Sequence, residues 1–264
     1  MTRRVSRGAL LVTGAVYLFL HLPVLVLAIF SVNASRYSVA WTGFTLDWYR
    51  KLAGRADLLR GLRASLIVGS VSTAVATVFG TLLALALARG RFRARRAIEG
   101  FLYLPIVTPE IVVGISLLVL FVLLRVPLGL GTITIAHIAF NIAFVAVVVR
   151  ARLDGLDRSL EEAALMLGAD ELTAFRTVTV PQLWPGIIAG ALLAFTMSFD
   201  DYVITSLVAG TGSSTLPVVV YGMVRRNVEP TVNAISTLIL LVTSLLIWLA
   251  FRLTRERPLA AARG

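Results

Sequence analysis

The sequence predicts an all-α membrane protein with six transmembrane helices, and its composition, its hydropathy and the length of its apolar runs support this class. Of the 264 residues, 58% are hydrophobic, and the mean hydropathy is +0.89. Soluble domains contain about 45–50% apolar residues. A helix needs about 20 apolar residues to cross a membrane, whereas a barrel strand needs about ten with alternating polarity. The apolar runs here are long and do not alternate, so we expect helices.

Six apolar windows have the length that a helical span requires. The first is too long for a signal peptide and lacks a clear small-residue cleavage site, so we interpret it as a retained helix. We assign all six to a single transmembrane domain, residues 1–264, without a separate soluble domain. The windows cover residues 10–31, 65–88, 100–124, 131–149, 186–208 and 232–251.

The net charge of +11 is explained by membrane topology rather than by nucleic-acid binding. Six crossings place both chain ends on one side, and the segments of that side, which are the leader, 89–96, 150–182 and the chain after 251, carry 16 of the 25 basic residues against 9 on the opposite side. Positive residues favour the cytoplasm, so we expect both termini there. Cysteine is absent and histidine occurs twice, so we predict no disulfide and no metal site.

The loop between the fourth and fifth windows, residues 150–185, is too patterned for a flexible tether, and we call it the connecting segment. Ser159 and Glu162 form an S-x-x-E pattern, which predicts a capping box at the start of a short helix. Gly168 suits the left-handed residue that ends it. We expect a second short helix from Asp170, with Pro181 and Pro185 breaking the chain before the fifth span.

The stretch 161–171 is acidic, and this indicates what it faces. It contains Glu161, Glu162, Asp170 and Glu171 and no basic residue. An acidic surface is repelled by anionic lipids of the cytoplasmic leaflet. The connecting segment therefore favours a protein partner over the lipid surface.

The connecting segment also carries a spaced motif. It resembles the EAA loop of binding-protein-dependent ABC importer permeases, E-A-A-x3-G-x9-I-x-L-P, with valine at the usual isoleucine and leucine. The flanking "SFDDYVIT", "LPIVTPEIVVGISLLVLF" and "WTGFTLDWYRKL" are similar to the spermidine/putrescine type, so the resemblance covers nearly the whole chain. It implies the type I ABC importer permease fold with a cytoplasmic coupling helix. The matching residues are Glu162, Ala163, Ala164, Gly168, Val178, Val180 and Pro181.

The resemblance implies that the chain is a transport subunit without enzyme activity. The coupling helix is then expected to dock on a cytoplasmic ATPase dimer, with Glu162 as the polar contact and Gly168 as the bend. The chain lacks a G-x-x-x-x-G-K-[ST] phosphate loop, so we expect ATP and magnesium in the partner ATPase and no cofactor here. Further expected partners are a second permease subunit, an extracytoplasmic solute-binding protein and membrane lipid, but no nucleic acid.

Ionisable groups inside the predicted spans identify the candidate substrate path, because such groups are costly in lipid. Asp200, Asp201 and Glu110 are acidic, and their windows contain no base, which favours a cationic solute, with polyamine the expected cargo. Either aspartate could instead cap a helix break or bind a nearby Tyr or Thr side chain. Asn141 is expected to form an interhelical hydrogen bond.

Several alternatives remain open from the sequence. Related permeases carry ferric ion, thiamine or phosphonate, and a secondary transporter would need no ATPase. Ser116 and His137 could form the nucleophile and base of an intramembrane protease. The outer loop 32–63 is expected to lie at the interface as an aromatic belt, or else to dock the binding protein. The stretch 216–221 is a candidate gating segment.

Overall fold

The computed structural model describes residues 7–36, 40–90, 93–226 and 230–255. Within these ranges the regular structure is helical, with one isolated antiparallel bridge between Asn33 and Phe44, so the all-α prediction is confirmed. The chain ends, residues 1–6 and 256–264, for which we predict a cytoplasmic location, lie outside the described residues. The helices are α1 Arg7–Phe30, α2 Asp47–Ala53, α3 Ala56–Arg89, α4 Arg95–Val107, α5 Glu110–Leu123, α6 Leu130–Asp154, α7 Ser159–Met166, α8 Glu171–Ala174, α9 Val180–Asp200, α10 Val203–Val208, α11 Leu216–Arg226 and α12 Pro230–Arg255.

Four stretches of helix in the described chain are long and apolar enough to cross a membrane. They are Gly8–Phe30, Ala56–Arg89, Leu130–Asp154 and Glu171–Asp200, and the bent pair of α4 and α5 makes five when it is counted as one span. Two shorter apolar helices follow, Leu216–Arg225 and Pro230–Leu245. The count of six spans therefore stays a prediction.

The window 100–124, expected as one span, is two helices that meet at an angle of 110°. Thr108 lies between them in an extended conformation, with φ −75° and ψ 133°. The ring of Pro109 disfavours the helical conformation of the residue before it, and proline offers no N–H to continue the helix. From the sequence, Pro105 and Pro109 are both expected to distort this span; the structure shows a full break at Pro109, whereas Pro105 is retained inside α4.

The fifth window also departs from its predicted bounds at both ends. Pro181 and Pro185 do not break the chain as expected, because α8 continues through a π-helical turn, Phe175–Thr179, directly into α9. A π turn shifts the hydrogen-bond register. This turn ends at Thr179, two residues before Pro181, which has no N–H. At the other end α9 stops at Asp200, and α10 starts only at Val203.

The chain forms two compact units, residues 1–56 with 220–264, and residues 57–219. In the first unit α12 packs against α1 and α2, and the buried Trp48 indole donates to the carbonyl of Asn33 at 2.7 Å. In the second, which we call the central unit, α6 packs along α9 and α10 packs against α5. Glycine permits this close packing, since a Cβ at Gly80 would lie 2.7 Å from the Val145 Cβ. All candidate site residues lie in the central unit.

Candidate functional site

Gly168 provides the left-handed stop just after α7, as the sequence predicts, while the helix itself ends at Met166 with Leu167 as its C-cap. Gly168 has φ +92°, a conformation that glycine adopts without strain. Its N–H donates to the carbonyl of Leu165 at 3.0 Å, and the N–H of Ala169 donates to the carbonyl of Ala164 at 3.1 Å. These two bonds form a Schellman motif, which fixes the direction in which the chain leaves the helix.

The start of α7 differs from the prediction. Ser159 is the first helical residue and Arg158 is the N-cap, without a side-chain capping bond. The S-x-x-E capping box is therefore wrong, because the serine lies one position too far into the helix. Asp157 takes over this role, since its Oδ1 accepts from the N–H of Ser159 at 2.9 Å. That hydrogen bond holds the pKa of Asp157 below its usual value.

The second short helix begins as predicted. Asp170 is its N-cap, and its side chain accepts from the N–H of Thr173 at 3.2 Å. Because α8 runs on into α9, however, the connecting segment contains one separate short helix, α7, and not two. Arg152 of α6 braces this continuous helix by donating from Nε to the carbonyl of Gln182 at 3.0 Å.

Glu161 joins α7 to two other elements, a role that the sequence analysis missed. Arg89, the last residue of α3, donates from Nη1 to Glu161 Oε1 at 2.9 Å and from Nη2 to Oε2. Thr179 donates from its hydroxyl to Glu161 Oε2 at 2.8 Å, and the Arg89 guanidinium lies over the ring of Phe175. No local pattern predicts this contact, because Arg89 and Glu161 are 72 residues apart.

The electrostatics of this junction keep Glu161 ionised. Partial burial acts to raise the pKa of Glu161, but hydrogen bonds from Arg89 and Thr179, with the charges of Arg89 and Arg158, outweigh it and lower the pKa. A cavity of about 150 Å³ lies beside the junction. Both charged side chains remain partly exposed, at 42% for Arg89 and 25% for Glu161, so water screens the pair.

The other face of α7 is open. Glu162 is exposed, and within the described chain its carboxylate has no ion pair. Met166 and Leu167 are each 89% exposed, which is unusual for large apolar side chains beside a hydrogen-bonded helix stop. Adjacent helical residues point about 100° apart, so Glu161 faces the protein while Glu162 faces outward. Clusters of exposed apolar groups mark interaction surfaces.

A second polar cluster lies within the spans, at the break between α9 and α10. Asp201 is 9% exposed, and its Oδ2 accepts from the N–H and the hydroxyl of Thr205, both at 2.7 Å. His137 Nε2 lies 3.3 Å from the same oxygen, and since a carboxylate only accepts, the ring donates to it. Asp201 is thus the cap of a helix break, the alternative that the sequence left open. Asp200, in contrast, is exposed.

The remaining contacts of His137 bear on the protease alternative. The ring is fully buried, and its Nδ1 lies 2.6 Å from the Ser198 hydroxyl. Ser72 of α3 continues this network at 3.0 Å from Ser198. Ser116 is elsewhere, on an exposed position where its hydroxyl donates to the carbonyl of Val112. The predicted serine and base are therefore not brought together.

Asn141 does not form the interhelical hydrogen bond that we expected. It follows His137 by one helical turn and is fully buried, but within the described residues neither its amide oxygen nor its amide nitrogen has a hydrogen-bond partner. Burying an amide without partners is unfavourable.

Glu110 is the first residue of α5, directly after the break at Pro109. Its carboxylate has no ion pair within the described chain, and it lines a cavity of about 70 Å³ at the elbow between α4 and α5. The cavity also contains Thr108, Phe140 and Phe144. The two rings contact each other edge to face, with centroids 5.5 Å apart. A carboxylate beside aromatic rings suits a cationic ligand.

These features define a class. The chain has several apolar spans, a short exposed helix anchored at the end of the spans, and acidic groups in apolar helices that form no ion pair within the described residues, which together are typical of a membrane transport subunit. Comparison with known proteins makes this specific. Residues 76–255 match the family described as binding-protein-dependent transport system inner membrane component. The chain therefore belongs to this family, and it is a multi-pass inner membrane protein.

Individual relatives agree with the family. The spermidine/putrescine transport system permease protein PotC of Escherichia coli is 42% identical over 253 residues, covering 96% of this chain and 95% of that protein. The putrescine transport system permease protein PotI of Escherichia coli is 42% identical over 231 residues, covering 85% of this chain and 82% of that protein. Both relatives are transport system permease proteins.

A solved structure shows the fold. A bacterial alginate ABC transporter, in complex with a periplasmic protein that holds an alginate pentasaccharide, contains a chain that aligns with a TM-score of 0.71 at 17% identity. The alignment covers 95% of this chain and 93% of that chain. The predicted type I ABC importer permease fold is therefore confirmed.

Proposed function

We propose that this chain is one permease subunit of an ATP-driven importer that takes up a small cationic solute, and that the solute is a polyamine such as spermidine or putrescine. The observation that carries this proposal is the 42% identity to polyamine permeases over 96% of the chain. The uncompensated Glu110 and the exposed Asp200 support a cation, because neither is neutralised by a basic residue within the described chain.

The proposed energy source is a separate pair of ATPase subunits that bind ATP and magnesium. The exposed face of α7 has the composition of a docking surface, because the apolar side chains of Met166 and Leu167 lie beside the charged Glu162. The Schellman turn at Gly168 supports a fixed orientation of this surface. A short helix transmits a displacement that a flexible loop would absorb. Ala163, Ala164 and Pro181 belong to the same proposed coupling surface.

The proposed substrate path uses Glu110 and Asp200 and no longer rests on Asp201. Asp201 Oδ2 accepts from Thr205 and His137 and Oδ1 accepts from the N–H of Ile204, so this carboxylate holds the helix break. Glu110 instead shares its cavity with Phe140 and Phe144, where an ammonium group would find a negative charge and two ring surfaces. The cavity volume of about 70 Å³ matches one end of an alkylammonium chain rather than a whole polyamine.

The proposed assembly also includes a second permease subunit, an extracytoplasmic solute-binding protein and six spans with both termini in the cytoplasm. In this topology the Arg89 end of α3 and the connecting segment both face the ATPase. The excess of basic residues on this side, 16 of 25 when the chain ends are counted with the loops 89–96 and 150–182, supports this orientation. We keep the whole chain as one transmembrane domain in this proposal.

The test is uptake by the reconstituted complex. Vesicles that contain this permease, its partner subunits and polyamine-loaded binding protein should accumulate labelled spermidine or putrescine only when ATP is supplied on the ATPase side. Excess ferric ion, thiamine or phosphonate should not compete. Competition by one of these would replace polyamine as the cargo, and uptake by this chain alone under an ion gradient would replace the ATPase with a secondary transport mechanism.

A further inference from the structure

The junction of Arg89, Glu161 and Thr179 connects α7 with the end of α3 and with the π-helical turn before α9. The helix α7 is linked to α6 through residues 155–158 and to α8 through residues 167–170, and each linker contains a glycine. Across these linkers, Glu161 binds the last residue of α3 and a residue of the π-helical turn that leads into α9. The junction thus attaches α7 to two of the long helices.

The geometry of this junction favours orientation over stability. The guanidinium and the carboxylate meet through two parallel hydrogen bonds, an arrangement that fixes the relative direction of both groups. Partly exposed ion pairs add little to the free energy of folding, and both partners here are reached by solvent. An ion pair that adds little stability but fixes the relative orientation of α7 and α3 is suited to transmitting a displacement from one helix to the other.

The neighbouring carboxylates of α7, Glu161 and Glu162, lie on two different faces of the helix and make different contacts. Glu162, which matches the acidic position of the EAA motif, is exposed and unpaired within the described chain. Glu161, outside the motif, is the residue that holds the helix to α3. Asp154 lines the same cavity as Glu161, but within the described residues it forms no ion pair. It therefore offers a matched control at the same location.

We propose that the Arg89 and Glu161 pair, supported by Thr179, is the link through which motion of α7 reaches α3 and α9. This inference rests on the proposed function, because it requires an ATPase that displaces α7. With the link intact, α7, α3 and the start of α9 move as one body. Without it, α7 is joined to the long helices only through the short linkers 155–158 and 167–170 and moves without α3, so ATP is hydrolysed while the membrane helices do not respond.

The first experiment measures uptake per ATP hydrolysed in the reconstituted complex. Glu161→Gln removes the charge, and we expect uptake per ATP to fall about tenfold, the size of a typical coupling effect, while ATP hydrolysis continues. Thr179→Val keeps the ion pair and should reduce the ratio less. The exchanged pair, Arg89→Glu with Glu161→Arg, should recover a large part of the loss. Asp154→Asn should behave like the wild type.

A structural role alone predicts a different pattern. In that case Glu161→Gln would lower the amount of assembled complex, and the uptake per ATP of the assembled fraction would stay at the wild-type ratio. That result would overturn the link, as would the exchanged pair performing no better than either single variant. The measurement is therefore made on purified complex with matched subunit content.

A second readout does not depend on the cargo. The chain has no cysteine, so Leu160→Cys on α7 and Ala86→Cys on α3 accept a pair of spin labels without background. In the wild-type complex the distance between the labels should stay constant through the ATP cycle, and in Glu161→Gln it should change with ATP. A wild-type distance that changes with ATP overturns the link. If this distance behaves as expected but no polyamine is imported, the link stands and the proposed cargo is wrong.

Discussion

The two polar clusters of the central unit use similar groups in opposite ways. At the end of α3 the ionised Glu161 and Arg89 are partly exposed and connect elements that lie 72 residues apart in the chain. At the break between α9 and α10, Asp201 and His137 are buried and the carboxylate also accepts the backbone N–H of a helix start. The first cluster can be altered at little cost in stability, whereas the second holds the fold. Removing a carboxylate should therefore have different consequences in each.

The largest expected effect is on stability, at the buried cluster. In Asp201→Asn the amide oxygen can replace Oδ2 toward Thr205 and His137, but the NH₂ then faces the N–H of Ile204 in place of Oδ1, and a buried donor left unpaired costs about 2 kcal/mol. We expect a clear drop in the thermal unfolding temperature of the purified complex. The adjacent Asp200→Asn, at an exposed position, should leave this temperature unchanged. Equal unfolding temperatures for the two variants would contradict the assignment of Asp201 as the cap.

The next effect concerns assembly at the exposed face of α7. Met166→Asp or Leu167→Asp places a charge where we propose an apolar anchor, and loss of an anchor typically costs about 2 kcal/mol of binding free energy. Binding of the ATPase subunits, measured by titration against the purified permease, should weaken by more than tenfold. Leu172→Asp, at an exposed position of α8, serves as the control. Unchanged ATPase affinity in the α7 variants would remove α7 from the interface.

A smaller effect is expected in the elbow cavity. With saturating loaded binding protein, Glu110→Gln should lower the rate of polyamine uptake several-fold, because the ammonium group loses its counter-charge. Phe144→Leu should lower the rate less, since a cation over an exposed ring gains about 0.5–1 kcal/mol. Phe144→Tyr should retain most activity. Uptake at the wild-type rate in Glu110→Gln would exclude the elbow cavity from the path.

The smallest effect is the pH dependence of the α7 junction. The folded-state pKa of Glu161 lies below the ordinary value of 4.5, so its link is fully present above that value and is lost as the pH falls through the lowered pKa. The distance between labels on α7 and α3 should therefore stay constant from neutral pH down to the ordinary glutamate range and change only below it. In Glu161→Gln this acid transition should disappear. A transition near neutral pH in the wild type would contradict the ion-pair assignment.

The sequence predicted those features that depend on neighbours along the chain. The apolar runs, the stop at Gly168, the start at Asp170 and the distortion at Pro109 all follow from local backbone chemistry. The capping box failed by a single position, because Asp157 competes for the same N–H group. A π-helical turn is not visible in a residue pattern, so the continuity of α8 with α9 through Pro181 was not predicted.

The features that the sequence missed depend on contacts between distant residues. Glu161 and Glu162 are the same residue type at adjacent positions in the sequence. Only the position of Arg89 in the fold decides which of the two faces the protein. Asp200 and Asp201 pose the same problem, and the position of His137 together with the helix break decides it. Asn141 was expected to bind across helices, but its amide has no hydrogen-bond partner within the described residues. In each case the residue type indicated a polar role, but the sequence did not show which distant residue would be its partner.

The central claim is that α7 faces the cytoplasm as a docking element for the ATPase, and the accessibility of its tip tests this directly. Met166→Cys is a single reactive site in a chain without cysteine, and a membrane-impermeant maleimide reports which side it faces. We expect labelling in inside-out vesicles stripped of the ATPase, no labelling in intact cells with a permeable outer surface, and protection when the ATPase is added back. Labelling from outside the cell, or equal labelling with and without the ATPase, would contradict the account.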